Sequence, residues 1–427
     1  MHILIATPAF PPFVGGGERH TGTLSKCLAA QGQTVTVLTS SALKESDFWQ
    51  GCGQDVEVDQ DDPNITIIRA PIEPMPGDFH GLLGWRKGMV LLSALPGTNI
   101  VLQAMAKRVP ALTRVDEAIA HIDKPVDVVH GFNISWEHAM MAGWKYARQN
   151  GIPFVASPLA HLGTGSRDRV ALNSTMRHQR TILTTADMLL TNTLIEAQGL
   201  QARGVRTPKV DVAGPGVDIP QDVDAFPDSG ASQKPSVLFI GRTSYDKGAL
   251  HAAQAVLSLR ERGSDIQLVL IGQETDEFRR YYDDLPAASQ KAIHVQGFME
   301  ESLKHAYLRD AEALLLPSRT DSFGIVLLES WLYGRPVIAA AAGGIPAVVD
   351  NGKNGILVPF GDIPSLSNAI KLLTEDQELN RILGENGHKK LMAHYTWEAV
   401  TEKVLGAYHE VIDTQTPAAK VSEESGA

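Results

Sequence analysis

Residues 314–344 read LLLPSRTDSFGIVLLESWLYGRPVIAAAAGG, and this stretch constrains the fold more than any other. The apolar run Ala313-Leu316 has the pattern of a buried strand, Pro317 to Ser322 is turn chemistry, and Phe323-Gly324 bends the chain into a helix expected from about Ile325 to Tyr333. Gly334 stops that helix ahead of a second apolar run. The order is that of a ligand-binding βαβ unit in a layered α/β domain. Asp321 and Glu329 place one carboxylate in the loop and one two turns into the helix. Unpaired N–H groups and a positive dipole at such a helix start suit a phosphate.

The strand, loop and helix order recurs at two other places. His2-Thr7 reads as a buried strand, followed by a loop with Pro11-Pro12 and Gly15-Gly16-Gly17, a helix from Glu18 to near Gly32, and the strand Thr34-Leu38. This is not the dinucleotide fingerprint, because His20 occupies a position that would need a small residue. The glycine triplet alone reads equally well as a flexible loop. The pattern restarts at Ser236-Ile240, where Gly241-Arg242 and Lys247-Gly248 flank a loop that opens a helix. An arginine grips phosphate bidentately and a lysine adds a point charge, against the plainer reading of two surface cations. Asp222 and Asp224 superficially resemble a metal-binding pair, yet they lie in a Pro-, Ser- and Asp-rich stretch of linker composition.

These motifs together resemble the family 4 retaining glycosyltransferases, nucleotide-sugar enzymes of the GT-B fold. The family's pattern of two carboxylates with seven residues between them is matched by Asp321 to Glu329 around Phe323-Gly324, with Gly334-Arg-Pro336-Val337 and Gly343-Gly344 following. Aspartate stands at 321 where the family favours glutamate. The resemblance implies two Rossmann-like domains of doubly wound parallel sheet, facing across a cleft, with the donor held mainly by the second. It implies donor contacts from Gly15, Gly16, Arg242, Lys247, Gly297, Phe298, Asp321, Phe323, Gly324, Ile325 and Glu329. Asp321, Arg242 and Lys247 carry the catalytic roles in that scheme: Arg242 and Lys247 on the diphosphate, Asp321 beside the sugar, Glu329 on the ribose. The family's usual His-x-His after the middle strand of the first domain becomes His130 and Phe132 here. His130, Asn133, His161, Arg167 and Arg169 are therefore the candidate sugar or acceptor contacts. The implied reaction is metal-independent transfer, with retention, from a nucleoside diphosphate sugar to a hydroxyl acceptor and with no cofactor. A catalytically silent relative and a nicotinamide-dependent dehydrogenase are the alternatives, the latter lacking its fingerprint in both halves.

Composition narrows the partners. With 427 residues, 43% of them hydrophobic and 20% charged, the chain is an ordinary globular protein of two or three domains. A net charge of −11 provides no overall field for nucleic acid, so anionic ligands need local positive sites. Two cysteines, Cys27 and Cys52, rule out a disulfide scaffold and fit a reducing compartment; together with the absence of a leader-like start they lead us to expect a cytoplasmic protein.

The middle of the first half is less legible. Residues 71–124 are helical in pattern, and Met89-Leu92 and Ile100-Leu102 read either as a helical pair covering the sheet or as an apolar face for a lipid-linked acceptor and peripheral membrane contact. The basic residues from Arg167 to Arg180 invite an anionic acceptor, against the reading of a solvated helix face. The expected organisation is a first domain at 1–216, a linker at 217–235, a second domain at 236–395, a crossover helix at 396–412 and a disordered tail at 413–427.

Overall fold

The computed structural model describes residues 1–162, 169–220, 226–227, 229, 234–319 and 321–415. They form two compact units, one drawn from Met1–Leu162, Ser166–Gly214 and Val400–Ala427, the other chiefly from Pro215–Ala399. Most of the expected linker, with Asp222 and Asp224, lies outside the described residues, as does the tail from residue 416. The last helix, Trp397–Gln415, runs through residues 413–415, which were assigned to the disordered tail. From Val400 onward it belongs to the first unit.

The first unit contains one eight-stranded sheet. Its strands are β1 (His2–Ala6), β2 (Thr34–Ser40), β3 (Glu57–Asp62), β4 (Ile65–Ala70), β5 (Val128–Phe132), β6 (Phe154–Ser157), β7 (Met188–Thr191) and β8 (Val210–Val212). They lie in the order β3-β4-β2-β1-β5-β6-β7-β8, parallel throughout except for β3, which runs antiparallel to β4. All five residues of β1 are buried, because helices cover both faces of a parallel sheet. β3 has no such signature: its sequence, EVDQDD, is that of an acidic edge strand, and the pattern reading misses it.

The second unit has a six-stranded parallel sheet made of β9 (Ser236–Ile240), β10 (Gln267–Ile271), β11 (Ile293–Gly297), β12 (Ala313–Leu316), β13 (Val337–Ala340) and β14 (Gly355–Val358). Their order is β11-β10-β9-β12-β13-β14. β9 and β12 are therefore neighbours at the centre, with Leu314 level with Leu238. The chain steps outward from β9 to β10 and β11, then returns to β12 on the other side of β9; this reversal of strand order creates a topological switch point, where open α/β sheets collect ligands at their carboxyl ends. Asn351-Gly352 in the run Asn351 to Val358 is in sequence a hairpin signal, but no hairpin forms there. The turn leads into β14, which pairs in parallel with β13.

The helix Ile325–Leu332 follows β12 and is anchored by Trp331, which is fully buried and donates its indole N–H to the Asn354 carbonyl at 2.9 Å. Gly387, on the helix Gln377–His394, leaves room for that indole, since a Cβ there would overlap the ring. Among the described residues no helix is long and apolar enough to cross a membrane. Of the two apolar runs in 71–124, Met89 and Leu102 are fully buried core, while Leu91, Ile100 and Val101 are exposed.

Gly387→Ala should lower the unfolding free energy by about 1–3 kcal/mol through overpacking against Trp331. Urea denaturation measures this, and a midpoint equal to that of the wild type would show that the two helices can separate without cost.

Candidate active site

The loops that leave β9 and β12 come together because Gly248 has no side chain. Its φ is +82°, and a Cβ there would collide with the Pro317 carbonyl. Close approach at this point lets the two loops bond directly. Asp246 accepts the Arg319 backbone N–H on its carbonyl at 3.0 Å and the Arg319 Nε on Oδ1 at 2.8 Å. The Arg319 guanidinium also lies 5.7 Å from the Tyr245 ring centroid and 5.6 Å from that of Phe360. Next along the chain, Lys247 Nζ donates to Asp321 Oδ1 at 2.8 Å.

Asp321 is held from a second side by the loop after β13. Its carbonyl accepts the Gly344 N–H at 2.9 Å, and Gly343, at φ +59°, has no room for a Cβ beside that same carbonyl. The carboxylate has one oxygen on Lys247, while Oδ2 is buried and has no hydrogen-bond partner among the described residues. The following helix begins at Gly324 (φ +82°), and no side chain caps it, so its first N–H groups are available to a ligand. Phe323 is buried and packs edge-on against Tyr395 at 5.4 Å, so it offers a ligand only its backbone.

One turn into the helix, Glu329 is also buried. Oε1 accepts from Lys304 Nζ at 3.1 Å, and Oε2 has no partner among the described residues. Lys304 also meets Glu301 at 2.7 Å. Nothing in the sequence points to Lys304, which lies on the preceding helix, Glu301–Asp310, without a motif of its own. Asp246 and Arg319 were passed over too, although both sit inside the motif loops. Arg242 is exposed, and its guanidinium makes no hydrogen bond or ion pair with the described residues. Gly297 ends the edge strand β11 at φ +70°, and Phe298 beyond it is 82% exposed.

The candidates of the first unit divide differently. Gly15 is the N-cap of the helix Gly16–Ala30, and its carbonyl accepts the Arg19 N–H at 2.9 Å. His130 is buried: Nε2 lies 2.9 Å from Ser157 Oγ and Nδ1 lies 2.7 Å from Tyr408 Oη. Ser157 Oγ itself donates to the Leu190 carbonyl, so it accepts from Nε2–H and leaves Nδ1 to accept the tyrosine proton. Burial, with a smaller contribution from nearby His20, pushes the His130 pKa well below the usual histidine range. Both nitrogens of His130 are thus used inside the core, and neither is left for a sugar. Asn133 is a turn residue at φ +65°, its Oδ1 accepting from the Ser135 N–H. His161 is exposed, whereas Arg167 and the side chain of Arg169 lie outside the described residues.

The basic residues beyond them serve the fold and not a solvated face. Arg177 Nε donates to the Ser93 carbonyl at 2.8 Å and Arg180 Nη1 to the Arg203 carbonyl at 3.1 Å. His178 and Arg86 both bond the fully buried Glu137, at 2.9 and 2.8 Å. Burial alone would raise the Glu137 pKa, but Arg86 and His178 outweigh it and hold the carboxyl below its usual range.

A family model described as glycosyl transferase 4-like domain matches residues 15–216, and one described as glycosyl transferases group 1 matches residues 223–390. The D-inositol 3-phosphate glycosyltransferase of Actinosynnema mirum is 30% identical over 311 residues, covering 67% of this chain and 73% of that enzyme. The chain belongs to the family 4 glycosyltransferases of the GT-B fold. This glycosyltransferase is also 30% identical over 184 residues to the α-D-kanosaminyltransferase of Streptomyces kanamyceticus, a match spanning 43% of this chain and 47% of that one. Among solved structures, Anabaena HepE in complex with UDP-glucose shares the fold, with a TM-score of 0.65 at 17% identity over 96% of this chain and 100% of that one. Membership of the family sets the dehydrogenase alternative aside.

Removing the cation from Glu329 should be costly in this glycosyltransferase. Lys304→Met leaves a buried carboxylate facing apolar surroundings and should lower stability by about 3 kcal/mol. Chemical denaturation measures the loss, and a change below about 0.5 kcal/mol would mean that water already neutralises the pair.

Proposed function

We propose that the glycosyltransferase binds a nucleoside diphosphate sugar on the loops after β9 and β12 and transfers the sugar, with retention, to a hydroxyl acceptor. The observation that carries this reading is a pair of buried carboxylate oxygens, Asp321 Oδ2 and Glu329 Oε2, that have no hydrogen-bond partner among the described residues and lie on either side of an uncapped helix start. A buried polar atom without a hydrogen bond is expensive, and a ligand rich in hydroxyl groups removes that cost. UDP-glucose in the HepE complex is such a ligand, which supports the donor class.

The roles follow from the chemistry at each position. Glu329 Oε2 accepts from a ribose hydroxyl. Arg242 and Lys247, with the N–H groups at Ile325, face the diphosphate and stabilise the negative charge that builds on it as the glycosidic bond breaks. Asp321 lies beside the sugar, where its charge favours an oxocarbenium-like centre. This scheme draws its positive charge from fixed side chains and a helix end, so we propose no metal or cofactor for it.

The Lys247–Asp321 ion pair adds a condition. Each neutralises the other across 2.8 Å, so a phosphate competes with Asp321 for the ammonium. Asp321→Asn frees Lys247 for the diphosphate while removing charge from beside the sugar. Nucleoside diphosphate binding by calorimetry should then be unchanged or tighter, while turnover falls tenfold or more, about 1.4 kcal/mol of barrier. Full turnover in this variant would exclude a catalytic role for Asp321.

Arg242→Ala and Lys247→Ala should lower kcat by a larger factor than they raise the donor's dissociation constant, because the phosphate carries more charge in the transition state than in the ground state. Equal kcat with weaker binding would reduce both residues to anchors of the donor.

A further inference from the structure

A cavity of about 510 Å³ lies in the first unit between the outer face of the helix Gly16–Ala30 and the strands β3 and β4. Arg69, Arg19, Lys26, Thr23 and Asp59 are among its walls, so three cations and one carboxylate stand among the described residues that line it, in a protein whose net charge is −11. Arg69 is the unusual member. Only 7% exposed, it donates from Nη2 to the Pro11 carbonyl at 2.6 Å and has Nε 3.5 Å from Asp59 Oδ2. Its third nitrogen, Nη1, is buried and has no hydrogen-bond partner among the described residues.

A guanidinium stays charged at every physiological pH and presents its donors in a fixed fork. A buried one with an unused N–H, in the wall of a cavity with two more cations, is organised for an oxyanion. We propose that this cavity binds the phosphate or carboxylate group of a small molecule, with Arg69 as the buried anchor and Lys26 and Arg19 at the mouth. The site shares no residue with the donor reading. It is also coupled to a motif loop: the guanidinium that would hold the anion already holds Pro11, and Gly22 makes way for the Pro11 ring, whose Cγ would be 2.6 Å from a Cβ there. An anion at Nη1 would therefore restrain the loop that leads to Gly15.

Isothermal calorimetry of the full chain with inorganic phosphate, and separately with succinate, at constant ionic strength, tests the proposal. Running both in an Arg242→Ala, Lys247→Ala background removes the cations of the β9 loop, so that failure of the donor reading and failure of this one are told apart. Saturable binding of either anion should persist in that background and identify which group the site takes. Arg69→Gln should weaken it tenfold or more. Lys26→Glu, on an exposed helix face where folding is not at stake, should weaken it several-fold. Absence of saturable binding for both anions, or affinity unchanged in Lys26→Glu and Arg69→Gln, would overturn the proposal.

Discussion

The close approach of two loops at Gly248 is the constraint on which the candidate site depends. With any side chain at that position the loop after β9 could not lie against Pro317, and the Lys247–Asp321 and Asp246–Arg319 contacts would have no common geometry. These ion pairs are partly exposed, and pairs of that kind contribute little to stability, about 0–1 kcal/mol each. Their effect is on position. In the proposed scheme, a lysine already fixed beside Asp321 loses little freedom when the donor arrives, and pre-orientation of this sort is where much of a transferase's advantage over water arises.

The elements that build this site were legible because local chemistry and fold agree. β12, its loop and the helix were expected from Ala313 to about Tyr333, and the helix ends at Leu332. Fully apolar runs bounded by glycine and proline have few other uses. Asp321 and Glu329 stand out by their placement about the helix start, and the resemblance adds the roles expected of them. Lys304 was invisible because its relation to Glu329 spans 25 positions and involves no motif. For the same reason nothing in the sequence linked His130 to Tyr408, 278 positions away, although that bond decides what the histidine can do. β3 was missed because an acidic edge strand lacks the apolar alternation by which strands are recognised, and the Asn351-Gly352 turn misled because turn residues fix a local bend but not the partner of the strand that follows.

Charge was the least readable property. The run containing Arg177, His178 and Arg180 looks like a surface for anions, yet the structure spends it on carbonyls and on a buried glutamate. Arg69, a single basic residue inside a strand, drew no attention and is buried with one nitrogen that has no partner among the described residues. Sequence shows where charges are, whereas their use depends on which elements the fold brings beside them.

Stereochemistry tests the central claim most directly. During turnover of a panel of nucleoside diphosphate sugars with water as the acceptor, proton NMR at early times identifies the anomer of the released sugar before it equilibrates. The account predicts release of nucleoside diphosphate with the sugar in the anomeric configuration it had in the donor. Release of the opposite anomer would contradict it.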